Sequence, residues 1–375
     1  MSQIHQNQGA ELGMTRIVCI GGFLGSGKTT AILRAARSLM ESGMKVGIIT
    51  NDQGHELVDT ALVRGEGFQA EEIGGGCFCC HFQDFARTAQ RLAEQAQAQI
   101  ILAEAVGSCT DLAATVCQRL RHHHASEFSV APLTVLVDPV RAREMLNNFS
   151  PFDEDVRYLF GKQLSEADHI VLTKQDLFRD DEIQTLREQI SEFVDNIPVH
   201  AMSARTGSGV PEWLKLIGQE AGRSPDFELD YDRYGAAEAS LGWLNGNFDL
   251  ACGRAFHPTG LAEALLARIQ VACQQKRLAI AHLKAMVISS EGSAWIAVTR
   301  TDGTATWGER SALPTCKEAS MIINARVCAP PQELECIVRD SLREVTSNLT
   351  IVAVQRHLET FSPAPPKRPE FSVPA

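Results

Sequence analysis

Short apolar runs alternate with amphipathic stretches through the first 220 or so residues. Ile17-Val18-Cys19-Ile20 leads into Thr30-AILRAARSLMES, where Ile32, Leu33, Ala36, Leu39 and Met40 fall near one helical face. Gly43 stops that helix, and a second run, Val46-Gly-Ile-Ile49, follows. Three more strand-like runs span Ala98 to Glu104, Leu133 to Val137 and His169 to Leu172. A sixth, from Ile197, ends in Ser203-Ala204 before the helix Pro211-EWLKLIG. Strands of this kind separated by helices predict an α/β domain over residues 15–222, with a mostly parallel sheet and helices on both faces.

After residue 222 the pattern changes. Arg223-Ser-Pro-Asp and the charged, Tyr-containing run to Arg233 read as part of a linker, 223–239. A helix from Leu261 to Arg277 precedes two strand-like runs, Ala285 to Ser289 and Ser293 to Thr299, and a turn at Asp302-Gly303. Ile322 to Val327 then leads to the amphipathic helix Gln332-ELECIVRDSLREV. This predicts a smaller α+β C-terminal domain over 240–350, with Trp295 and Trp307 as core aromatics. Residues 1–14 read as a disordered tail, and residues 351–375, rich in proline between Pro363 and Pro369, as another.

The loop between the first strand and helix carries chemistry. Gly22-Phe-Leu-Gly25-Ser26-Gly27-Lys28-Thr29 is a complete G-x-x-x-x-G-K-T string. Its glycines let backbone N–H groups turn inward around a diphosphate, Lys28 adds a point charge, and the Thr29 hydroxyl is placed to ligate Mg²⁺. With Thr30 opening the helix, the string predicts a P-loop NTPase with a nucleotide cradle of Gly22, Gly25, Ser26, Gly27, Lys28, Thr29 and Thr30. Glu104 falls at the carboxyl end of a strand, the edge where such sheets bind ligands, and is a candidate to hold Mg²⁺ directly or through water. Gly107, three residues on, is a candidate to present its N–H to a γ-phosphate.

Thr173-Lys174-Gln175-Asp176 follows the fifth run, with Thr173 where Asn is commoner in an N-K-x-D motif. The Asp176 carboxylate suits the N1–H and 2-amino donors of guanine, Lys174 lies along the base, and the Ser203-Ala204 backbone meets the guanine oxygen. Adenine offers no such donor pair, so the reading is GTP rather than ATP.

Gly74-Gly-Gly-Cys77-Phe-Cys79-Cys80-His81 packs three thiols and an imidazole into five positions. Thiolates that close repel unless a cation neutralises them, and Zn²⁺ accepts an S₃N or S₃O set. The fourth position stays open among His81, Glu72, Asp52, His55 and a vacant site that suits metal transfer, and a buried turn or a redox-sensing pair of thiols are the competing readings. His122-His123-His124 do not share a helical face and read as solvated.

Composition narrows the classes. The 375 residues carry a net charge of −11, which argues against a broad grip on nucleic acid. No apolar stretch approaches the ~20 residues of a membrane span. Eleven cysteines, an odd count in a chain without a secretory signal pattern, are expected as reduced thiols in a cytoplasmic protein.

In order, GFLGSGKT, the Thr50-Asn51-Asp52-Gln53-Gly54 segment, GGGCFCC, ILAEAVG, VDP, TKQD and SA resemble the CobW-like GTPases, relatives of the nickel chaperones of hydrogenase and urease maturation. The resemblance covers about residues 15–220 and weakens beyond, where Arg254-Ala-Phe-His257-Pro258 is similar to the family's R-P-F-H-P. It implies a slow GTPase that gates delivery of Zn²⁺ or Co²⁺ to a client metalloprotein. By the same resemblance, Cys77, Cys79 and Cys80 are the transferable metal site, Thr29 and Glu104 the Mg²⁺ partners, and Asp52 an acidic residue near either metal. The alternative is a GTP-dependent escort for a cofactor-containing enzyme, cobalamin for example, with structural cysteines. A homodimer is compatible with either.

Overall fold

The computed structural model describes residues 14–51, 58, 63, 68–147, 150–195, 197–219, 228–308 and 310–366. The expected tail 1–13 therefore lies outside the described residues, as do Asp52 and His55.

The first sheet has eight strands, all paired in parallel. In chain order these are β1 (Thr15–Gly21), β2 (Val46–Asn51), β3 (Gln69–Ile73), β4 (Ile100–Glu104), β5 (Phe128–Val130), β6 (Thr134–Val137), β7 (His169–Leu172) and β8 (Val199–Ala201). Their spatial order is β3-β2-β4-β1-β6-β7-β8, with β5 also paired to β1. The central strands are buried along their length, as strands covered on both faces require. Helix α1 (Lys28–Glu41) follows β1 and α2 (Phe82–Gln95) follows the cysteine loop. Two strands escaped the sequence pattern. β3, QAEEI, is an edge strand with only Ile73 buried, and β5 has three residues.

The second sheet is antiparallel, with six strands in the order β12-β11-β10-β13-β9-β14. Here β9 is Gly242–Phe256, β10 Ile280–Ser289, β11 Gly292–Val298, β12 Thr306–Trp307, β13 Cys316–Val327 and β14 Val352–Phe361. The helices Pro258–Lys276 and Pro331–Leu349 pack on one face of it, around Leu265, Ile269, Val287, Ile323 and Val338. The α+β expectation holds. Trp295 and Trp307 are half-buried against core clusters, with Lys284 Nζ 5.0 Å from the centre of the Trp295 ring.

Two expected boundaries are corrected. The segment taken for the end of a linker contains helix α8 (Tyr231–Ala239), capped by Asp230, whose carboxylate accepts from the N–H groups of Asp232 and Arg233. Its Tyr234 and Ala237 are buried in the same core as Phe160 and Ile170 of the first domain, so it is packed structure. The tail expected from residue 351 starts later, because Val352–Phe361 pairs with β9 from Val352↔Ala251 to Phe361↔Trp243. That strand lies at a sheet edge and leaves Val352 and Val354 exposed, so no buried face marked it in the sequence.

The two sheets share a core. Leu241, Trp243, Ala279 and Ala281 pack with Phe23, Val137 and Phe152. Arg141, 3% exposed, reaches across to donate to the carbonyls of Ile280 and Thr299, while its guanidinium lies 4.5 Å from the Phe152 ring centre. Among the described residues no helix is long and apolar enough to cross a membrane.

Candidate nucleotide and metal site

Because the first sheet is parallel, every loop that leaves a strand's carboxyl end emerges on one edge. The phosphate loop follows β1. Gly27, at φ 87°, caps α1, and Gly22 and Gly25 are also left-handed, at φ 132° and 78°. Lys28 Nζ donates to the carbonyls of Gly22 at 2.7 Å and Phe23 at 3.4 Å, which holds the ammonium across the loop mouth. The Ser26 hydroxyl is buried and has no hydrogen-bond partner among the described residues. A buried hydroxyl of that kind is costly unless a ligand meets it, so the loop fits a polyphosphate.

Glu104 ends β4, the strand beside β1, and is 7% exposed. Its Oε1 accepts from Thr29 Oγ1 at 3.0 Å, so the two oxygen donors expected for Mg²⁺ are brought together. Gly107 lies against the phosphate loop: a Cβ built there would stand 2.7 Å from Leu24 Cδ2 and 3.1 Å from Leu24 Cα. Only glycine permits that approach.

On the other side of β1, Thr173 Oγ1 donates to the Ser26 carbonyl at 2.7 Å. The hydroxyl thus ties the base-side loop to the phosphate loop, a job a hydroxyl does as well as the commoner amide. Lys174, at φ 55°, donates to the Gly25 carbonyl at 3.1 Å and pairs with Asp138. Burial opposes ionisation of Asp138, yet the Lys174 ammonium outweighs it and holds the carboxyl below its ordinary range. Asp176 is exposed on a single 3₁₀ turn, Gln175–Leu177. Gln175 N–H donates to the Met202 carbonyl at 3.2 Å, which places this turn beside Ser203 and Ala204. Ser203 itself is fully buried, its N–H given to the Ser208 carbonyl at 2.8 Å and its hydroxyl accepting from Thr206 N–H.

The cysteine loop follows β3, the strand at the far edge beyond β2. Asn51, the last residue of β2, holds it in shape. Its amide donates to the carbonyls of Ile73 at 2.8 Å and Gly76 at 2.7 Å, and its carbonyl accepts from Phe78 N–H at 3.0 Å. One turn then forms, with Cys80 and His81 N–H both bonded to the Cys77 carbonyl. The sulfurs of Cys77, Cys79 and Cys80 lie within 4.8 Å of one another, the only such ligand group among the described residues. Cys77 and Cys80 are 3.4 Å apart and Cys79 and Cys80 4.0 Å. His81 turns away, its Nδ1 3.3 Å from Asp84 Oδ2. Glu72 lines a surface hollow with Asp84, Arg87 and Arg91. Neither joins the sulfurs. His122 and His123 are exposed, as expected, whereas His124 is largely buried beside Phe82 and Phe128, its Nδ1 3.0 Å from Glu127 Oε1.

Two residues that the sequence did not single out complete the picture: Asn51 and Cys109. Cys109, two residues past Gly107, is buried in the same core as Cys77, with Cys79 packed against that core. Hydrogen bonds from Cys109, Cys79 and Cys80 hold the Cys77 thiol well below its ordinary range, whereas burial and the neighbouring Cys77 push Cys109 up. Cys79, bonded to Cys109 and Cys77, is raised as well. The only sequence signal for Cys109 was its place just beyond Gly107.

Phosphate loop and sulfurs meet in one core: Phe23, Leu24, Cys77, Val106 and Cys109 pack together. The class this defines is a P-loop nucleotide-binding domain with a thiol cluster beside its phosphate loop. Residues 16–201 match the CobW/HypB/UreG nucleotide-binding domain, and that region of the chain belongs to this family. The zinc chaperone YjiA of Escherichia coli (strain K12) is 27% identical over 193 residues, 50% of this chain and 57% of that protein. The zinc chaperone CobW of Sinorhizobium sp is 29% identical over 246 residues, 56% of this chain and 64% of that protein. The chain thus spans less than two thirds of either relative. A solved structure of HypB from Helicobacter pylori in complex with nickel overlays 57% of this chain and 93% of that one, at 14% identity and a TM-score of 0.42, too distant to transfer any residue's role.

Proposed function

We propose that this protein is a GTP-hydrolysing metallochaperone that carries Zn²⁺ or Co²⁺ on Cys77, Cys79 and Cys80 and delivers it to a client metalloprotein. The observation that carries the reading is the shared packing of Phe23 and Leu24 from the phosphate loop with Val106, Cys109 and Cys77. A change at the phosphates that moves Gly107 has a short, dense route to the sulfurs. The names of the two relatives, both zinc chaperones, point the same way.

In this reading Gly22, Gly25, Ser26, Gly27 and Thr30 cradle the phosphates and Lys28 faces the charge that develops during hydrolysis. Thr29 and Glu104 hold Mg²⁺, which supplies charge neutralisation on the triphosphate. Gly107 presents its N–H to the γ-phosphate. Asp176, Lys174 and Ala204 meet the guanine, while Thr173 and the buried Ser203 shape the loops around it. Asp52, outside the described residues, is read as an acid near either metal.

Coupling requires that metal affinity differ between nucleotide states. Competition titrations of Zn²⁺ and Co²⁺, with a nonhydrolysable GTP analogue and with GDP, are expected to differ at least tenfold, about 1.4 kcal/mol. Equal affinities would remove the basis of the mechanism.

A further inference from the structure

We propose that the C-terminal domain forms a wall of the nucleotide site, where Thr299, held by Arg141, braces Gly25 of the phosphate loop. Both act as positioning residues that set the affinity for nucleotide. The inference rests on the reading of Gly22 to Thr30 as a nucleotide cradle and adds to it two residues outside every nucleotide motif of the sequence. Gly25 sits in the middle of the cradle at φ 78°. A Cβ built on it would stand 2.8 Å from Thr299 Cγ2, 3.0 Å from Thr299 Cβ and 3.4 Å from the Ala281 carbonyl oxygen. The second domain therefore touches the backbone whose N–H groups must converge on a phosphate.

The contact is one link of a closed ring. The Gly25 carbonyl accepts from Lys174 Nζ at 3.1 Å, and Lys174 pairs with Asp138. Asp138 caps the helix Pro139–Leu146, its Oδ1 accepting from the N–H groups of Val140 at 2.8 Å and Arg141 at 3.3 Å. From that first turn the buried Arg141 guanidinium crosses to the carbonyls of Ile280, at 3.3 Å, and Thr299. Glu144, one turn on, pairs with Arg141 at 2.8 Å and with Arg300 Nε at 3.4 Å, so the chain just past β11 is gripped at two successive residues. Phosphate loop, base-side loop and C-terminal domain are thus joined through Gly25, Lys174, Asp138, Arg141 and Thr299. Holding the loop in its binding shape before the nucleotide arrives lowers the ordering cost of binding. Loss of the brace weakens ground-state and transition-state binding alike and leaves the chemical step untouched. By linkage, bound nucleotide in turn stiffens the turn that follows Thr299.

The test uses the full chain. Thr299→Ala, which withdraws the methyl group from Gly25, is expected to raise the GTP KM and the GDP dissociation constant about fivefold each with kcat unchanged. Thr299→Val keeps that methyl group and is expected to restore most of the loss. Arg141→Lys, which replaces the planar fork by a single ammonium, is expected to raise both constants about as far as Thr299→Ala. A merely structural role would lower the active fraction, and so kcat, and leave KM alone. An unchanged KM in Thr299→Ala or Arg141→Lys would overturn the inference, as would a Thr299→Val chain as weak as Thr299→Ala. In the unaltered chain, GDP is expected to slow amide hydrogen exchange across residues 299–303 as well as 22–29. Slowing at 22–29 alone would overturn the brace while leaving the nucleotide site standing. No slowing at either, with no measurable binding of GTP or GDP, would instead overturn the nucleotide reading beneath it. The exchange measurement decides the matter even where a variant does not fold.

Discussion

The phosphate loop and the cysteine loop are alike in outline: each leaves a parallel strand, runs through glycines and enters a helix. They are assembled differently. The phosphate loop is closed on itself by Lys28 Nζ, bonded to the carbonyls of Gly22 and Phe23, six and five residues back, and is braced at Ser26 and Gly25 by Thr173 and Lys174. The cysteine loop is shaped chiefly by Asn51, at the end of a neighbouring strand. A site for a polyphosphate needs mainly converging N–H groups, which consecutive residues supply. A site for a metal ion needs side chains converging on a point; here one turn supplies three sulfurs and a neighbouring strand's Asn51 fixes its shape.

Three variants bear on that contrast. The largest effect is expected at Lys28→Ala, which removes the charge facing the phosphates and lowers the rate of GTP hydrolysis about 10²–10³-fold. If the two loops are built independently, the Co²⁺–thiolate spectrum of the nucleotide-free variant stays that of the parent; a lost spectrum would mean that the phosphate loop also props the cysteines. Asn51→Ala is the converse. It strips three hydrogen bonds from the cysteine loop and leaves buried carbonyls and an N–H to find water, at about 2–3 kcal/mol. Zinc affinity is expected to fall at least tenfold while GTP-analogue binding changes little, and comparable losses in both titrations would break the separation.

The smallest effect is expected at Glu166, beneath the loop that connects the two sites. It accepts from Thr110 Oγ1 at 2.9 Å and from Ala113 N–H at 3.0 Å, with the Asp111 carboxyl close by. Burial pushes its pKa up to about 8 from an ordinary 4.5. The folded chain therefore keeps a proton that the unfolded chain has released, and stability falls as pH rises between those two values. Glu166→Gln carries no such charge. Its thermal midpoint is expected to change less between pH 5 and pH 8 than the parent's, by about 3 °C, and matching pH profiles would mean that Glu166 is ionised in the fold.

Much of the nucleotide side was legible because its signals are local. Gly22 to Thr29 reads as a unit, Glu104 and Gly107 follow an unmistakable apolar run, and the structure brings Thr29 and Glu104 within a hydrogen bond. β3 and β14 were not legible, since edge strands carry polar residues and lack a buried face. Helix α8 was hidden by its short length and its tyrosines, which only the core they enter explains.

The sequence by itself determined the alternation of the central strands and helices of the first domain, the phosphate loop and the presence of three clustered thiols, because periodicity and turn chemistry act over a few residues. Strand order was decided only in three dimensions. By placing β2 between β3 and β4, the sheet set Asn51 under the glycine turn and Cys109 in one core with Cys77. Residues far apart in the chain meet there because burial rewards contact irrespective of sequence distance, and no local pattern encodes which distant partner will be met.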